Sequence, residues 1–194
     1  MIRRFPGQYR IMTSAPRPSA LVRPLLLGIV TGLRSQLGVA VLAWSEPASS
    51  GDTRALRLLR STPGRTVAGL AAAGELVGDK LPSTPSRLKP LVLGSRLATG
   101  AAVGALAVAS TDRRTVAVAS AVGAAGAAAG SYAGAAFRTT MPARTHTPDL
   151  PWALAEDAVA AGLAATAVKV RPERRPWWQR VPTAAVRTAT SWRR

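Results

Sequence analysis

The chain has no cysteine, one histidine, three lysines and nine acidic residues in 194. Without cysteine it can form neither disulfides nor thiolate metal sites, and it gives no redox clue. His146 stands in the loop sequence Thr145-His146-Thr147-Pro148, where a surface residue is expected rather than a base. No His-x-x-x-His pair occurs, so the sequence offers no metal-ligand spacing. No catalytic residue, no metal and no cofactor is expected. Aromatic residues are also scarce, at 5%, so apolarity comes from Ala, Val, Leu and Gly. That is poor material for a core of large interlocking side chains and good material for close helix packing. Charged residues, at 18%, fall below the roughly 25% usual in soluble domains.

What the chain does have is positive charge and long apolar runs. The net charge is +17, nearly all from arginine. Arginine in place of lysine, beside so much alanine, reflects a GC-rich genome, so the sign of the charge is the informative part. The basic residues gather at both ends and between apolar runs, the pattern of cytoplasmic loops and tails on a membrane protein. Nucleic-acid binding would interleave them along one soluble domain. The C-terminal tail places Trp177, Trp178 and Trp192 among its arginines. This suits anionic lipid headgroups and shows no base-stacking module. The expected partner is the bilayer, and no nucleic acid is expected.

Residues 1–24 read as a basic, proline-punctuated, disordered tail. A secretory signal is the rival reading, but the apolar run that follows continues to Trp44 and contains Arg34. Residues 25–170 read as the transmembrane helical domain, and 171–194 as a second basic tail. Leu25 to Trp44 is the first expected span, since twenty residues at about 1.5 Å rise match the roughly 30 Å hydrocarbon core. Residues 45–62 read as a polar connector. The second segment, about Arg65 to Lys80, is short, and is the expected re-entrant or broken helix. Pro63 marks its start, and Pro82 and Pro85 its end. The third segment runs from Pro90 to Ser110, the fourth from Thr115 to Phe137, and the fifth from Trp152 to Val170. A loop is expected at 138–150, with Asp149 capping the last helix. Small-residue spacing marks helix-packing faces at Gly28 and Gly32, at Gly100 and Gly104, and at Gly126, Gly130 and Gly134. The fold class is therefore all-α: a small polytopic transmembrane helix bundle of four to five membrane segments, with glycine- and alanine-rich packing. Two basic tails call for an even number of crossings under the positive-inside rule.

Charge inside lipid costs roughly 2.5–3.5 kcal/mol per residue on insertion scales. Arg34, Glu75, Asp79, Glu156 and Asp157 must therefore face the bundle interior, water or one another. Glu75 and Asp79 share a helix face and sit at a helix C-terminus, where the dipole disfavours anions. A cation is needed there, from Arg34, Lys80 or Arg87. The expected network pairs Arg34 with Glu75 or Asp79 and adds Glu156 or Asp157. Glu156 and Asp157 point about 100° apart, so one would face the bundle and the other the interface. The alternative is that the acids lie solvated at headgroup level and mark helix ends.

Three segments resemble a known family. They are Gly32-Leu33-Arg34-Ser35, the run Glu75-Leu76-Val77-Gly78-Asp79-Lys80-Leu81-Pro82 with Pro85-Ser86-Arg87, and Leu154-Ala155-Glu156-Asp157-Ala158. Together they resemble a bacterial integral-membrane family, domain-of-unknown-function family 4126, over about residues 25–170. The stretch from Glu75 to Arg87 is the most specific part. Gln36-Leu37 stands where that family usually has an aromatic residue or proline, which argues against a kink in the first helix. The resemblance implies a small multi-pass protein of the bacterial inner (plasma) membrane and supports the polar residues, without supplying an activity. Three functions are left open by the residues. The first is a small transporter or channel-like protein in which Glu75, Asp79 and Glu156 bind or relay and Arg34 is the counter-ion. The second is a structural or assembly protein acting through helix packing, including a homo-oligomer. An enzyme acting through an acid pair comes third.

Overall fold

The computed structural model describes residues 16–49, 52–78, 88–108, 110 and 112–170. Among the described residues there are seven helices and no strand. They are α1 (Pro18–Leu33), α2 (Ser35–Trp44), α3 (Arg54–Leu59), α4 (Thr62–Gly78), α5 (Pro90–Ala107), α6 (Arg113–Thr145) and α7 (Asp149–Lys169). Two of them, α5 and α6, are long and apolar enough to cross a membrane.

The expected first span is not one helix. Arg34 is extended, with φ −139° and ψ 103°, and ends α1 while starting α2. The two halves then fold back on each other. Arg23 near the start of α1 lies 3.1 Å from Glu46 beyond the end of α2. In one straight helix these residues would be about 35 Å apart. A Cβ on Gly38 of α2 would lie 3.1 Å from the Leu27 carbonyl and press on the Thr31 hydroxyl, which confirms the antiparallel pairing. The first segment therefore folds back on itself where one straight span was expected, and the described part of the second is a single helix, α4. The first segment turns without proline at the turn, and the extended residue is Arg34 rather than a glycine.

Other boundaries also differ from the sequence reading. Residues 18–24, assigned to the tail, are helical, with Pro18 in the first turn of α1. The connector contains α3, capped by the Thr53 side chain, which accepts from the Leu56 N–H. The loop expected at 138–150 shrinks to 146–148, because α6 continues to Thr145 and ends with His146 in the left-handed region (φ 53°). Asp149 is the first residue of α7, not its cap. Residues 1–15 and the expected C-terminal tail, 171–194, lie outside the described residues.

Glycine sets the packing of the centre. Helix α6 runs parallel to α1 and antiparallel to α5. A Cβ on Gly126 would lie 2.7 Å from the Leu25 carbonyl, and one on Gly130 would lie 3.1 Å from Gly32 Cα. Gly28 meets the Gly123 backbone and Gly32 the backbone at 127–131. On the α5 side, a Cβ on Gly100 would meet Ala127 at 2.5 Å and one on Gly104 would meet Gly123 Cα at 3.0 Å. Gly123, which the spacing argument missed, touches both neighbours and is where three backbones converge. Gly134 is buried further along α6. Backbones this close gain dispersion contacts that larger side chains would forbid.

The apolar side chains complete the layers. Leu27, Leu42, Leu56, Val103, Ala107 and Ala167 form one cluster, at the end of the hairpin away from Arg34. Ala40, Ala43, Ala68 and Ala72 join α2 to α4.

Candidate functional site

Breaking a helix leaves unpaired carbonyls at one end and unpaired N–H groups at the other, with opposite partial charges. Here the α1 end is buried and the α2 end half-buried at the Arg34 turn, and each meets side chains of suitable charge. At the C-terminal end of α1, the Gly32 carbonyl accepts from Arg96 Nη1 at 2.7 Å and from the Ser131 hydroxyl at 3.2 Å. At the N-terminal end of α2, the Glu75 carboxylate does the capping. Its Oε1 accepts from the Ser35 N–H at 2.7 Å and the Ser35 hydroxyl at 2.6 Å. Its Oε2 accepts from the Gln36 N–H at 2.7 Å. Arg96 Nη2 lies 3.3 Å from Oε1 and ties the two ends together.

The turn residue itself points toward α7. Arg34 is fully buried. Its Nε donates to Asp157 Oδ1 at 2.6 Å, and its Nη2 lies 2.5 Å from the same oxygen and 3.6 Å from Glu156 Oε2. Glu156 is shared, since Arg138 Nη1 on α6 lies 3.6 Å from the same Oε2. Arg138 also forms an ion pair with Asp149, which is half exposed. Edge-on packing of Phe137 against Trp152, with centroids 5.7 Å apart, holds α6 to α7 beside it. A continuous ladder of alternating charge thus runs from Asp149 to Arg34. Three guanidiniums and four carboxylates meet within it and the adjoining Glu75 cap, drawn from four helices and the Arg34 turn.

Of the expected members, Arg34, Glu75, Glu156 and Asp157 come together in this layer. Glu75 takes Arg96 as its guanidinium, and Arg34 takes both Asp157 and Glu156. Both α7 acids turn inward, with side chains 2% exposed for Glu156 and 18% for Asp157. Asp79, Lys80 and Arg87 lie outside the described residues. Arg96, Ser131 and Arg138 were missed. Arg96 was detectable, because the cost argument that singled out Arg34 applies equally to an arginine inside the third apolar run.

A second ionic cluster closes the other end of the hairpin. Glu46 takes Arg23 at 3.1 Å and Arg60 at 3.4 Å, and Arg60 also meets Asp52 at 3.0 Å. Arg65 donates to the Glu46 and Ala43 carbonyls and lies over the Trp44 ring at 5.7 Å. Outside the apolar segments, Asp112 caps α6. Hydrogen bonds from the Thr115 hydroxyl and N–H hold its carboxyl below the usual carboxylate range.

No protein-family model, curated protein or solved structure matches the chain.

Chemically, the layer holds paired charge. Among the described residues no three His, Cys, Asp or Glu side chains converge as a metal-ligand set. Each carboxylate in the layer has a donor, and Arg34, Arg96 and Arg138 each have an acceptor. Moving a proton or an ion through the layer would exchange one such partner for another.

Proposed function

We propose that the chain is a multi-pass protein of the plasma membrane that acts as a small transporter or channel-like protein. Its α1–α2 hairpin enters the bilayer from one face and turns at mid-depth. The observation that carries this reading is the buried break at Arg34, with both helix ends neutralised by side chains from other helices. Interrupted helices with compensated ends are how transporters place polar groups at the membrane midplane. Ionisable residues at that depth mark ion or solute paths.

The topology supports the same reading. With the hairpin re-entrant, α5 and α6 are the two helices long and apolar enough to cross, and an even number of crossings is kept if α4 and α7 either both cross or both do not. Ala167 near the end of α7 packs with Leu27 and Leu56, so α7 ends at the hairpin's open end, where α1 begins. Arg54, Arg57, Arg113, Arg114 and Lys169 lie at that end too. This end is the cytoplasmic face under the positive-inside rule. Exposed Val67, Leu70, Val77, Leu91, Leu154 and Val159 then face lipid. The basic composition of the two ends of the chain fits anionic headgroups.

Reconstitution into liposomes tests the function. Solute or ion flux that falls in Glu75→Gln supports it, and flux absent across a panel of ions and solutes contradicts it. An assembly role is the second reading. It is favoured by Gly74, Gly94 and Gly162, which have nothing within 4 Å and leave room for another helix. A stable oligomer without flux would favour it.

A further inference from the structure

The short helix α3 carries charge and apolar surface that the bundle does not use. One side of it is built into the fold. Leu56 packs in the cluster that holds Leu27 and Leu42, and Arg60, just past the end of α3, pairs with Glu46 and Asp52. The other side presents Arg54, Arg57 and Leu58, all exposed, with Leu58 at 70%. Among the described residues neither Arg54 nor Arg57 has an acid partner. Two uncompensated guanidiniums thus flank an apolar side chain on a face that points away from the core.

The Arg34 turn gives this face a depth. Leu27 and Leu42 stand seven and eight residues from Arg34 along α1 and α2. At about 1.5 Å per residue they lie about 10–12 Å from the turn, and Leu56 packs at their level. Trp44, exposed at the end of α2, is ten residues away, or about 15 Å. Half of the hydrocarbon core is also about 15 Å. With the turn at mid-depth, Trp44 therefore falls at the hydrocarbon edge, where tryptophan is enriched. Leu56 falls just inside that edge. The opposite side of α3, one helix diameter of about 10 Å further out, reaches the headgroup layer about 20 Å from the midplane.

We propose that Arg54, Arg57 and Leu58 dock α3 on anionic phospholipid of the leaflet at the hairpin's open end. The two guanidiniums hold headgroup phosphates, which arginine matches with paired N–H donors, and Leu58 enters the upper acyl layer. The arginine stems follow apolar surface while their charged ends stay with the phosphates. Because Leu56 and Arg60 fasten α3 to the hairpin, this contact fixes the depth of the open end and, with it, that of the Arg34 turn. The inference rests on the membrane reading above, and two reference positions separate its failure from the failure of that reading.

The test uses a bimane fluorophore on Leu58→Cys in the full chain, reconstituted in mixed phosphatidylglycerol and phosphatidylcholine bilayers. Phospholipid with a nitroxide high on its acyl chain quenches the label, and acrylamide in the water does not. Beside the label, nitroxide-bearing phosphatidylglycerol is favoured over phosphatidylcholine by about fivefold for each arginine. Arg54→Gln/Arg57→Gln removes that preference. All three residues are exposed and outside the ionic clusters, so the variants keep the fold. Tyr132→Cys, exposed beside Ser131 at the level of the turn, is the lipid reference, and Thr147→Cys, in the loop before α7, is the water reference. A Leu58 label as open to acrylamide as Thr147, with Tyr132 quenched from lipid, overturns the proposal and leaves the membrane reading standing. Tyr132 open to acrylamide as well removes both. A Leu58 label shielded from both quenchers means that a protein covers α3, and also overturns the proposal. So does a lipid-quenched label with no preference for phosphatidylglycerol, or one whose preference survives Arg54→Gln/Arg57→Gln.

Discussion

The two ends of the α1–α2 hairpin are both ionic, yet they are built on different principles. At the open end, the partners are near in sequence. Arg23, Glu46, Asp52, Arg60 and Arg65 all fall within one stretch and clasp the hairpin to α3 and α4. At the turn, the partners come from afar, with Glu75, Arg96, Ser131 and Asp157 on four different helices. The clasp joins the legs of the hairpin. The turn layer replaces the hydrogen bonds that the break removed. The first is a local fastening, and the second requires the whole bundle to be in place.

This difference sets the expected size of perturbations. Arg34→Leu takes the Arg34 guanidinium from both Asp157 and Glu156, and removing one partner of a buried pair costs about 3–5 kcal/mol. Unfolding in detergent should show that loss, with part of it restored by adding Asp157→Asn. A loss of less than about 1 kcal/mol would mean that the layer does not hold the turn.

Next in size is the packing that brings the layer together. Gly123→Ala forces a methyl group onto the Gly100 carbonyl and the Gly104 Cα, costing about 1–3 kcal/mol. Gly162→Ala, which meets nothing, should cost nothing and gain up to about 1 kcal/mol. Equal effects at the two positions would show that the glycines are compositional rather than structural.

The clasp should be weaker. A double-mutant cycle on Arg23 and Glu46 should give a coupling on the order of 1 kcal/mol, because Arg60 still satisfies Glu46 when Arg23 is gone. A coupling as large as that of Arg34 with Asp157 would erase the distinction between the two ends.

The smallest effect is expected at Asp112, which caps α6 outside both clusters. Its carboxyl is held below its ordinary value, so its contribution is complete above the unfolded pKa and disappears as pH falls through the folded one. The stability difference between the wild type and Asp112→Asn should therefore be present at neutral pH. It should close below about pH 4, as read from unfolding midpoints across an acid series.

The sequence disclosed the polar centre because a buried charge has few explanations in an apolar run. Arg34, Glu75, Glu156 and Asp157 were found that way, and the Gly28, Gly32, Gly126 and Gly130 faces by their four-residue spacing. The break at Arg34 was not legible. Its own residues favour neither proline-type nor glycine-type bending, and the groups that stabilise it lie about 40 to 120 positions away. The clasp was hidden for another reason: a solvated connector and a folded ionic one have the same composition. Arg96 was legible and overlooked.

The central claim is that the chain reverses at Arg34 instead of running straight from Leu25 to Trp44. The native absence of cysteine allows a direct test with spin labels at Val22→Cys and Trp44→Cys, both exposed, read by pulsed dipolar spectroscopy. Adjacent helix axes lie 8–10 Å apart, so the hairpin predicts a distance under about 20 Å between the labels. A distance centred near 33 Å, the length of 22 residues of unbroken helix, would contradict it.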